Sequence, residues 1–514
     1  MSQAKPEKPI LITDFTGQAE NPHIGFGVSV GMDLYTTKGV ARLSRKLDKT
    51  SGSTVTGLPV YASIADDQDI WVQDSDGKVY TSTDDGLTWA QVAGNTVDGG
   101  KGLIIWEDYV FSFTADDIDL YGPLSGAPAW RNNWWTTTAA QPVMANAATV
   151  THFPFAYGAT LYFLNDNLVA SITVVGTFVW NNGATYIPDP AALTMAWYYR
   201  GQSMALLPPN NIAISVINQI TPSASDLVIW DRVSPTSIDN IVTLPGASDP
   251  VKQLMTKNGI LYAVTNNEHG IYTVNGTSAE VVDRLSLRMS NRESGGKQYT
   301  TRLQSPIYVS GIDFIGPELL TAGSNTPSPI SQIANTGLYP YGVWSVNTES
   351  GLVCTRFPLS HGDINAQYTG AYAIGLIKTL RNNTVIVGWQ RGSNYGIDTL
   401  NTANYISTAS HTFVESELFE VGTRTEPRTF NNLEYNLVAP LGTGEEIQFY
   451  YRLNQLQDYT ALGSSINLAS LGSNLSGIIT PLPFEKCRYI QIGFTMKANS
   501  NSNQTPQMRT VWLN

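Results

Sequence analysis

The chain has 514 residues, and only 14% of them are charged, well below the roughly 25% of an average globular protein. It carries 30 lysine and arginine residues against 42 aspartate and glutamate residues, which gives a formal net charge of −12. Such a chain is expected to repel nucleic acid and anionic membranes unless basic residues cluster, and the one short basic stretch, residues 41–49, is typical of a solvated strand or turn. The length exceeds that of one hydrophobic core and predicts more than one domain.

The N-terminus and the cysteines bear on where the chain is made. Residues 1–15 lack the apolar stretch and cleavage site of a secretory signal. No run reaches the roughly 18 apolar residues of a membrane span. Cys354 and Cys487 are predicted to lie in different domains, so no disulfide framework is indicated. These features predict synthesis in a reducing cytoplasm.

Strand signals run along almost the whole chain, whereas no long stretch has the apolar periodicity of a helix. The clearest example is DIWVQDSDGKVYTSTDDGLTWAQV, residues 69–92. Two β-rich runs flank a Ser-Asp-Gly turn at residues 75–77, and a third follows Asp-Asp-Gly at residues 84–86. Asp-Gly pairs supply the positive φ angles that tight hairpins need, so a three-stranded meander is predicted.

The same unit of strand, polar turn and strand recurs roughly every 40 to 60 residues, which is typical of the four-stranded blades of a β-propeller. Examples are ATLYFLNDNLVASI at residues 159–172 and IGLIKTLRNNTVIVGWQRG at residues 374–392. Tandem β-sandwiches have a similar strand spacing. The propeller is favoured because its stacked blades bury both faces of such strands. We therefore expect an all-β fold with a propeller of six to eight degenerate blades over residues 56–422.

Two other segments flank the expected propeller. Residues 1–55 are predicted to form an extended arm with a short strand at ILITDF. After residue 422 apolar and polar side chains alternate strictly, as at Ile447, Phe449 and Tyr451. This pattern predicts an antiparallel β-sandwich with one solvated face over residues 423–514.

The segment STDDGLTW, residues 82–89, has the spacing Ser-x-Asp-x-Gly-x-x-Trp of an Asp box. This motif occurs in sialidases and in several β-propeller families that cleave nothing. Turn chemistry accounts for each residue type, because Asp84 accepts hydrogen bonds within the turn, Gly86 adopts a left-handed conformation and Trp89 fills the blade core. We expect a structural Asp box formed by Ser82, Asp84, Gly86 and Trp89.

A sialidase would also need three arginines around a carboxylate, a Tyr–Glu pair and an acidic acid–base residue. The chain has enough arginines for such a site, so their number does not exclude a sialidase. However, the Arg-Ile-Pro signature of sialidases is missing and only one convincing Asp box is present. We therefore predict no enzyme activity and no catalytic residue. The arginines considered are Arg131, Arg200, Arg232, Arg284, Arg288, Arg292, Arg302 and Arg356.

Acidic clusters at residues 65–69, 74–77 and 115–119 have oxygen ligands suited to Ca²⁺, but none has a complete binding loop with a distal bidentate Glu. A role in turns is favoured. No pair of histidines or cysteines has the spacing of a zinc site, and no phosphate-binding glycine loop is present. We expect neither a metal nor a cofactor. The histidines are His23, His152, His269, His361 and His411.

Two aromatic stretches, WRNNWW at residues 130–135 and WYYRGQ at residues 197–202, combine aromatic rings with arginine and polar side chains. This composition suits sugar stacking or a protein interface, and it equally suits the core of a blade. Core packing is favoured because buried propeller strands need large side chains.

The opening ILITDFTGQAENPHIGFGVSVGMDLYTTKGVARL and the closing TPQMRTVWL resemble those of tailed-bacteriophage virion proteins. The order of parts is similar to that of the nozzle or hub class of short-tailed phages, or of a related tail-tip protein. The resemblance implies a structural tail subunit, located in the virion and assembled in the bacterial cytoplasm. Such a subunit would form a homo-oligomeric ring, expected to be a hexamer. Its other partners would be neighbouring tail, adaptor or portal proteins.

On this hypothesis the arm and the sandwich mediate contacts between subunits, and phage DNA passes an acidic lumen without specific binding. An alternative is a carbohydrate-binding host-recognition protein that uses aromatic platforms. A sialidase-like glycosidase is the remaining, disfavoured alternative.

Overall fold

The computed structural model describes residues 10–13, 26–34, 36–37, 39–245, 250–265, 270–284, 293–294, 297–298, 311–323, 342–348, 353–360, 372–406, 412–416, 419–420, 428–453, 459–484, 486–487 and 489–514. Regular structure in these residues is almost entirely β-strand. The helices among them are the single-turn α1 (Trp134–Thr137) and α2 (Leu468–Leu471).

Most of the strands belong to seven successive groups of four, here called blades 1 to 7. Six groups are separate four-stranded sheets and one lies within an eleven-stranded sheet. Blade 1 contains β6 (Pro59–Ile64), β7 (Ile70–Asp74), β8 (Val79–Ser82) and β9 (Ala90–Gln91), and blade 2 contains β10 (Gly102–Trp106), β11 (Tyr109–Phe113), β12 (Ile118–Gly122) and β13 (Ala129–Arg131). Blade 3 contains β14 (Pro154–Tyr157), β15 (Thr160–Asn165), β16 (Leu168–Val174) and β17 (Tyr186–Thr194), and blade 4 contains β18 (Tyr199–Leu207), β19 (Asn211–Asn218), β20 (Asp226–Trp230) and β21 (Asn240–Thr243).

The remaining blades follow the same order. Blade 5 contains β22 (Val251–Lys257), β23 (Ile260–Thr265), β24 (Gly270–Val274) and β25 (Ala279–Arg284), and a short pair, β26 (Glu293–Ser294) and β27 (Lys297–Gln298), comes next. Blade 6 contains β28 (Ile312–Ile315), β29 (Glu318–Gly323), β30 (Gly342–Asn347) and β31 (Val353–Pro358). Blade 7 contains β32 (Tyr372–Thr379), β33 (Val385–Arg391), β34 (Asn394–Tyr405) and, from the N-terminal part, β5 (Arg45–Lys49).

The first strand of each blade contacts the first strand of the next, from β6 through β10, β14, β18, β22 and β28 to β32. β32 in turn contacts β6, which closes the circle. Apolar side chains fill the space between neighbouring blades, and separate clusters join blade 2 to blade 3 and blade 4 to blade 5. A closed ring of radially stacked four-stranded sheets is a β-propeller, so the predicted fold class is confirmed, with seven blades.

The second unit is a β-sandwich. Its N-terminal strands are β1 (Ile10–Thr13), β2 (Phe26–Val30), β3 (Met32–Asp33) and β4 (Ala41–Leu43). Its C-terminal strands are β35 (Phe413–Ser416), β36 (Phe419–Glu420), β37 (Arg428–Thr429), β38 (Leu433–Leu437), β39 (Glu446–Arg452), β40 (Thr460–Ala461), β41 (Ile466–Asn467), β42 (Ser476–Ile479), β43 (Lys486–Cys487), β44 (Tyr489–Lys497) and β45 (Gln507–Leu513).

One sandwich sheet has the order β3-β4-β45-β38-β42, with β1 also paired to β45. The other runs β2-β35-β44-β39-β40, and β2 pairs in parallel with β31, so that this sheet continues blade 6. The two sheets share one core that includes Leu43, Phe449, Phe494 and Val511. Strands from both ends of the chain therefore build the sandwich, and the propeller is inserted between β4 and β35.

This arrangement corrects the expectation of an extended arm over residues 1–55. In the described part of that segment, β1 to β4 belong to the sandwich and β5 is the outermost strand of blade 7. The basic stretch at residues 41–49 accordingly supplies one strand to each unit. β1, β2, β4 and β5 each pair with a strand hundreds of residues away, so the local pattern showed strand propensity without showing where the strands pair.

Candidate functional site

The first strands of six blades enclose a cavity of about 380 Å³ on the propeller axis. Most of the residues that line it have apolar side chains, such as Leu103, Leu254 and Leu376, and Ser63, Gln253 and Lys378 add polar groups. This composition follows from the fold, because the innermost strands are covered on both faces by neighbouring blades and so contain long apolar runs. A mostly apolar cavity with few polar groups is the usual form of a small-molecule site, and this cavity falls within the typical size range of roughly 300–1,000 Å³.

Gln253 is the first notable polar group of this lining. Its residue is 8% exposed, and its Oε1 accepts a hydrogen bond from the backbone N–H of Ile312 at 3.1 Å. This bond fixes the amide between blades 5 and 6. Within the described residues, the Nε2 of Gln253 donates no hydrogen bond. The amide therefore retains two N–H donors at the cavity wall.

Lys378 is the second notable polar residue in the lining of the axial cavity. Its Nζ lies 3.9 Å from Oδ2 of Asp313, beyond hydrogen-bonding distance. The carboxylate of Asp313 instead accepts backbone N–H groups, from Phe314 at 2.7 Å and from Thr379 at 2.8 Å. Asp313 thus holds blades 6 and 7 together, while the ammonium group of Lys378 donates no hydrogen bond within the described part of the chain.

Lys252 lies next to Gln253, at the point where the register of β22 against β23 shifts. Burial lowers the pKa of Lys252 to about 7. The sequence interpretation singled out neither this lysine nor Gln253 or Lys378. In the sequence, each of these residues is a polar residue within an apolar strand. This pattern indicates a cavity only when the closed ring shows which strands face the axis.

Buried polar side chains also join blades around the ring. Gln73 of blade 1 is fully buried, and its Nε2 donates to Oγ of Ser112 and to the carbonyl oxygen of Phe113, both at 2.9 Å. Its Oε1 accepts from the N–H of Gly102 at 3.2 Å. This one amide of blade 1 therefore bonds to two strands of blade 2 across the seam between the blades.

His152 has the corresponding position between blades 2 and 3 and is fully buried. Its Nδ1 lies 2.9 Å from the carbonyl oxygen of Leu164, and its Nε2 lies 3.1 Å from that of Ala115. Burial lowers the pKa of His152, and this effect outweighs the two carbonyl contacts, which favour protonation. The other four histidines lie outside the described residues.

The turn at residues 82–89 connects β8 to β9, the outer strands of blade 1. Ser82 Oγ donates to Oδ1 of Asp84 at 2.8 Å and accepts from the N–H of Gly86 at 2.9 Å. The N–H and Oγ1 of Thr88 donate to the same carboxylate at 2.8 and 2.7 Å. Desolvation tends to raise the pKa of Asp84, but these hydrogen bonds outweigh it and lower the pKa. Gly86 has φ 82°, the left-handed conformation that glycine accommodates best.

Trp89 places this turn at the seam between blades 1 and 7. It is 8% exposed and packs in a cluster that includes Val72 of blade 1 and Ile386 of blade 7. Its Nε1 donates to the carbonyl oxygen of Gly86 at 3.1 Å, and Thr399 of blade 7 donates to the same oxygen at 2.7 Å. The carboxylate of Asp84 is thus engaged inside its own turn, and none of these residues lines the axial cavity.

The acidic clusters are also engaged by the backbone. Buried Asp74 accepts the N–H groups of Asp76 at 3.0 Å and Lys78 at 2.9 Å, and buried Asp119 accepts those of Thr96 at 2.6 Å and Asn133 at 2.8 Å. Burial raises the pKa of both carboxyl groups. No group of three or more metal-ligating side chains occurs within the described ranges.

The two aromatic stretches have different environments. In the first, Trp134 and Trp135 are buried in the core between blades 2 and 3. In the second, Tyr199 is buried but Trp197 is 73% exposed. The rings of Trp197 and Tyr198 are 5.7 Å apart and nearly perpendicular, at 85°. Core packing therefore describes the first stretch, whereas the second presents an exposed ring between blades 3 and 4.

The described arginines of the sialidase hypothesis have separate partners. Arg131 lies over the ring of Trp180 at 4.5 Å, and Arg200 forms an ion pair with Asp166 at 2.8 Å. Arg232 lies over the ring of Tyr157 at 4.4 Å. None of the three lines the axial cavity. The side chains of the other five fall outside the described part of the chain.

Comparison with known proteins identifies no family for this chain. No protein-family model matches the chain, and no curated protein matches it either. Within the described residues, no helix is long and apolar enough to cross a membrane.

Among solved structures, the chain is similar to the extracellular domain of BT4673 from B. thetaiotaomicron, with 12% identity over 78% of this chain and a TM-score of 0.44. The chain spans 45% of the length of that protein. It is also similar to streptogramin B lyase, with 10% identity, coverage of 70% of this chain and 98% of the other, and a TM-score of 0.45. YCF48 bound to D1 peptide matches at 10% identity over 71% of this chain and 96% of the other, with a TM-score of 0.42. The assignment to a β-propeller fold rests on the closed ring of seven blades described above.

Proposed function

We propose that this protein is a structural subunit of a bacteriophage tail, a nozzle- or hub-like component that acts by assembly. One observation carries the proposal. The opening and closing segments, which resemble those of phage virion proteins, pair with each other, because β1 is antiparallel to β45 with Ile10 opposite Leu513. The resemblance therefore falls on a single structural unit, the sandwich, from which the propeller projects.

Assembly would use the outer surface of the molecule. The outermost strands of blades 3, 4 and 5 each expose an aliphatic side chain, Ile187 at 59%, Ile241 at 41% and Val281 at 44%. These strands are also sheet edges, and such edges are natural sites for contacts between subunits. We propose a homo-oligomeric ring, six copies being the expected number, with neighbouring tail, adaptor or portal proteins bound through the sandwich.

The electrostatic balance supports a passive role toward DNA. The net charge of −12 disfavours adhesion to phosphates, so DNA would pass the ring without specific binding. On this proposal the protein is located in the virion tail after assembly in the host cytoplasm.

We further propose that the turn at residues 82–89 is an Asp box with a structural role and that the protein is not an enzyme. In support, the carboxylate of Asp84 accepts its hydrogen bonds from Ser82 and Thr88 of the same turn. A glycosidase needs a pair of carboxyl groups facing a substrate pocket. Asp84 lies in an outer turn of its blade.

Immunogold electron microscopy of phage particles carrying this protein tests the tail assignment, with an antibody against the purified chain. We expect label at the tail of intact particles. Absence of the chain from purified particles, checked by mass spectrometry, would refute the assignment.

Carbohydrate recognition is a second candidate, favoured by one observation, the 73% exposure of Trp197. An exposed ring beside polar side chains is suited to stacking on a sugar. Binding to an array of bacterial surface glycans tests it. Loss of a bound glycan in Trp197→Ala, with binding retained in the control Val233→Ala, would favour this candidate, since Val233 is 81% exposed in a different loop.

A further inference from the structure

The axial cavity combines an apolar wall with two groups that lack acceptors. The amide of Gln253 is held by Ile312, yet its Nε2 donates no hydrogen bond among the described residues. Lys378 lines the same cavity, and its closest anionic oxygen is 3.9 Å away on Asp313. Gln253 is nearly buried, whereas the side chain of Lys378 is 33% exposed, so an acceptor in the cavity would replace water at these two donors.

The two donors flank a single strand. Gln253 lies on β22 and Lys378 on β32, and β28, which carries Ile312 and Asp313, lies between them in the ring. Asp313 accepts hydrogen bonds from the N–H groups of Phe314 and Thr379. Its carboxylate accepts none from Nζ of Lys378, which lies 3.9 Å away. The polar side chains of the cavity wall therefore include one amide donor and one cation, together with the hydroxyl of Ser63, which accepts a hydrogen bond from the N–H of Ile105.

We propose that the axial cavity is a binding site for a small carboxylate with an apolar body. The carboxylate would accept hydrogen bonds from Nζ of Lys378 and Nε2 of Gln253, as an acceptor-only group that suits both donors. The apolar body would contact the aliphatic wall, including Leu103, Leu254 and Leu376. This site is independent of the proposed assembly function, because the residues proposed to contact the ligand line a cavity within one subunit.

Isothermal titration calorimetry with octanoate and octanol as matched probes tests the proposal on the full-length protein. The two share an apolar chain, and only octanoate offers a carboxylate. We expect octanoate to bind with one site per chain and about tenfold more tightly than octanol, the worth of one hydrogen bond to a charged group. Equal affinity for both probes, or no binding of octanoate up to millimolar concentration, would overturn the proposal.

The substitution Lys378→Met tests whether the preference for octanoate over octanol arises in the axial cavity. Methionine keeps much of the unbranched stem of lysine and removes the charge. We expect this variant to lose about tenfold in octanoate affinity and to leave octanol binding unchanged. The control is Lys257→Met, since Lys257 lies over the ring of Phe314 at 6.0 Å and does not line the cavity. An equal loss in both variants would contradict the site. The comparison of the two probes on the unaltered protein remains decisive if Lys378→Met does not fold.

Discussion

At the scale of single residues, polar side chains connect parts of the backbone that the strand ladders leave unpaired. Asp84 accepts three hydrogen bonds within one turn, and His152 contacts two carbonyl oxygens between blades. Local sequence predicts the first kind of role, because the donors of Asp84 lie within four residues. It does not predict the second, because Ala115 and Leu164 become neighbours of His152 only when blades 2 and 3 stack.

Asp84→Ala should lower the free energy of unfolding by about 1–2 kcal/mol at neutral pH, the usual worth of a side chain that caps backbone N–H groups. The pKa of Asp84 is lowered in the folded protein, so its contribution is present above its unfolded pKa and disappears as the pH falls through the folded pKa. Urea unfolding at neutral and strongly acidic pH measures this. Thr83→Ala, an exposed position in the same turn, is the control. A loss in Asp84→Ala that is equally large at both pH values would contradict this role.

His152→Gln should reduce the pH dependence of stability. The unperturbed pKa of histidine is 6.5, and burial lowers the pKa of His152 in the folded protein. Below pH 6.5 the unfolded chain takes up a proton that the folded chain does not, so wild-type stability falls as the pH drops toward the folded pKa.

The decrease in the free energy of unfolding that His152 causes has an upper limit of about 1.4 kcal/mol per pH unit. The two proteins differ only at residue 152, so the difference between their urea-unfolding curves isolates His152. Identical slopes in wild type and His152→Gln between neutral pH and pH 5 would refute this account.

At the scale of elements, the decisive strand is β5. It pairs with β34 of blade 7, with Leu47 opposite Leu400, and thereby ties the N-terminal part of the chain to the last blade. The turn at residues 82–89 connects blade 1 to blade 7 through the hydrogen bond from Oγ1 of Thr399 to the carbonyl oxygen of Gly86. Ring closure therefore depends on a short strand that local sequence marks only as charged and exposed.

Leu47→Ala should destabilise the propeller by about 2–5 kcal/mol, because Leu47 is buried beside Trp389 in the core of blade 7. Lys46→Ala in the same strand should cost less than about 1 kcal/mol, since its ion pair with Asp48 is partly exposed to solvent and such pairs contribute little to stability. Thermal unfolding of Leu47→Ala and Lys46→Ala measures the two losses of stability. Equal effects would mean that β5 does not close the ring through its buried face.

At the scale of the whole molecule, the all-β fold and the blade-like repeats were predictable because hairpin turns and apolar strands are local features. Leu433, Tyr435 and Leu437 show this in the sandwich, where they alternate with less buried residues. The insertion of the propeller into the sandwich was not predictable, since β1 meets β45 across nearly the whole chain. The donors of the cavity, Gln253 and Lys378, escaped notice for the same reason.

The central claim is that this propeller and sandwich form a subunit of a tail ring. Electron microscopy of the purified full-length chain, with class averages examined for rotational symmetry, tests it most directly. The account predicts closed rings with a central hole, six-fold being the expected symmetry. Isolated single propellers or three-fold spikes at all protein concentrations would contradict it.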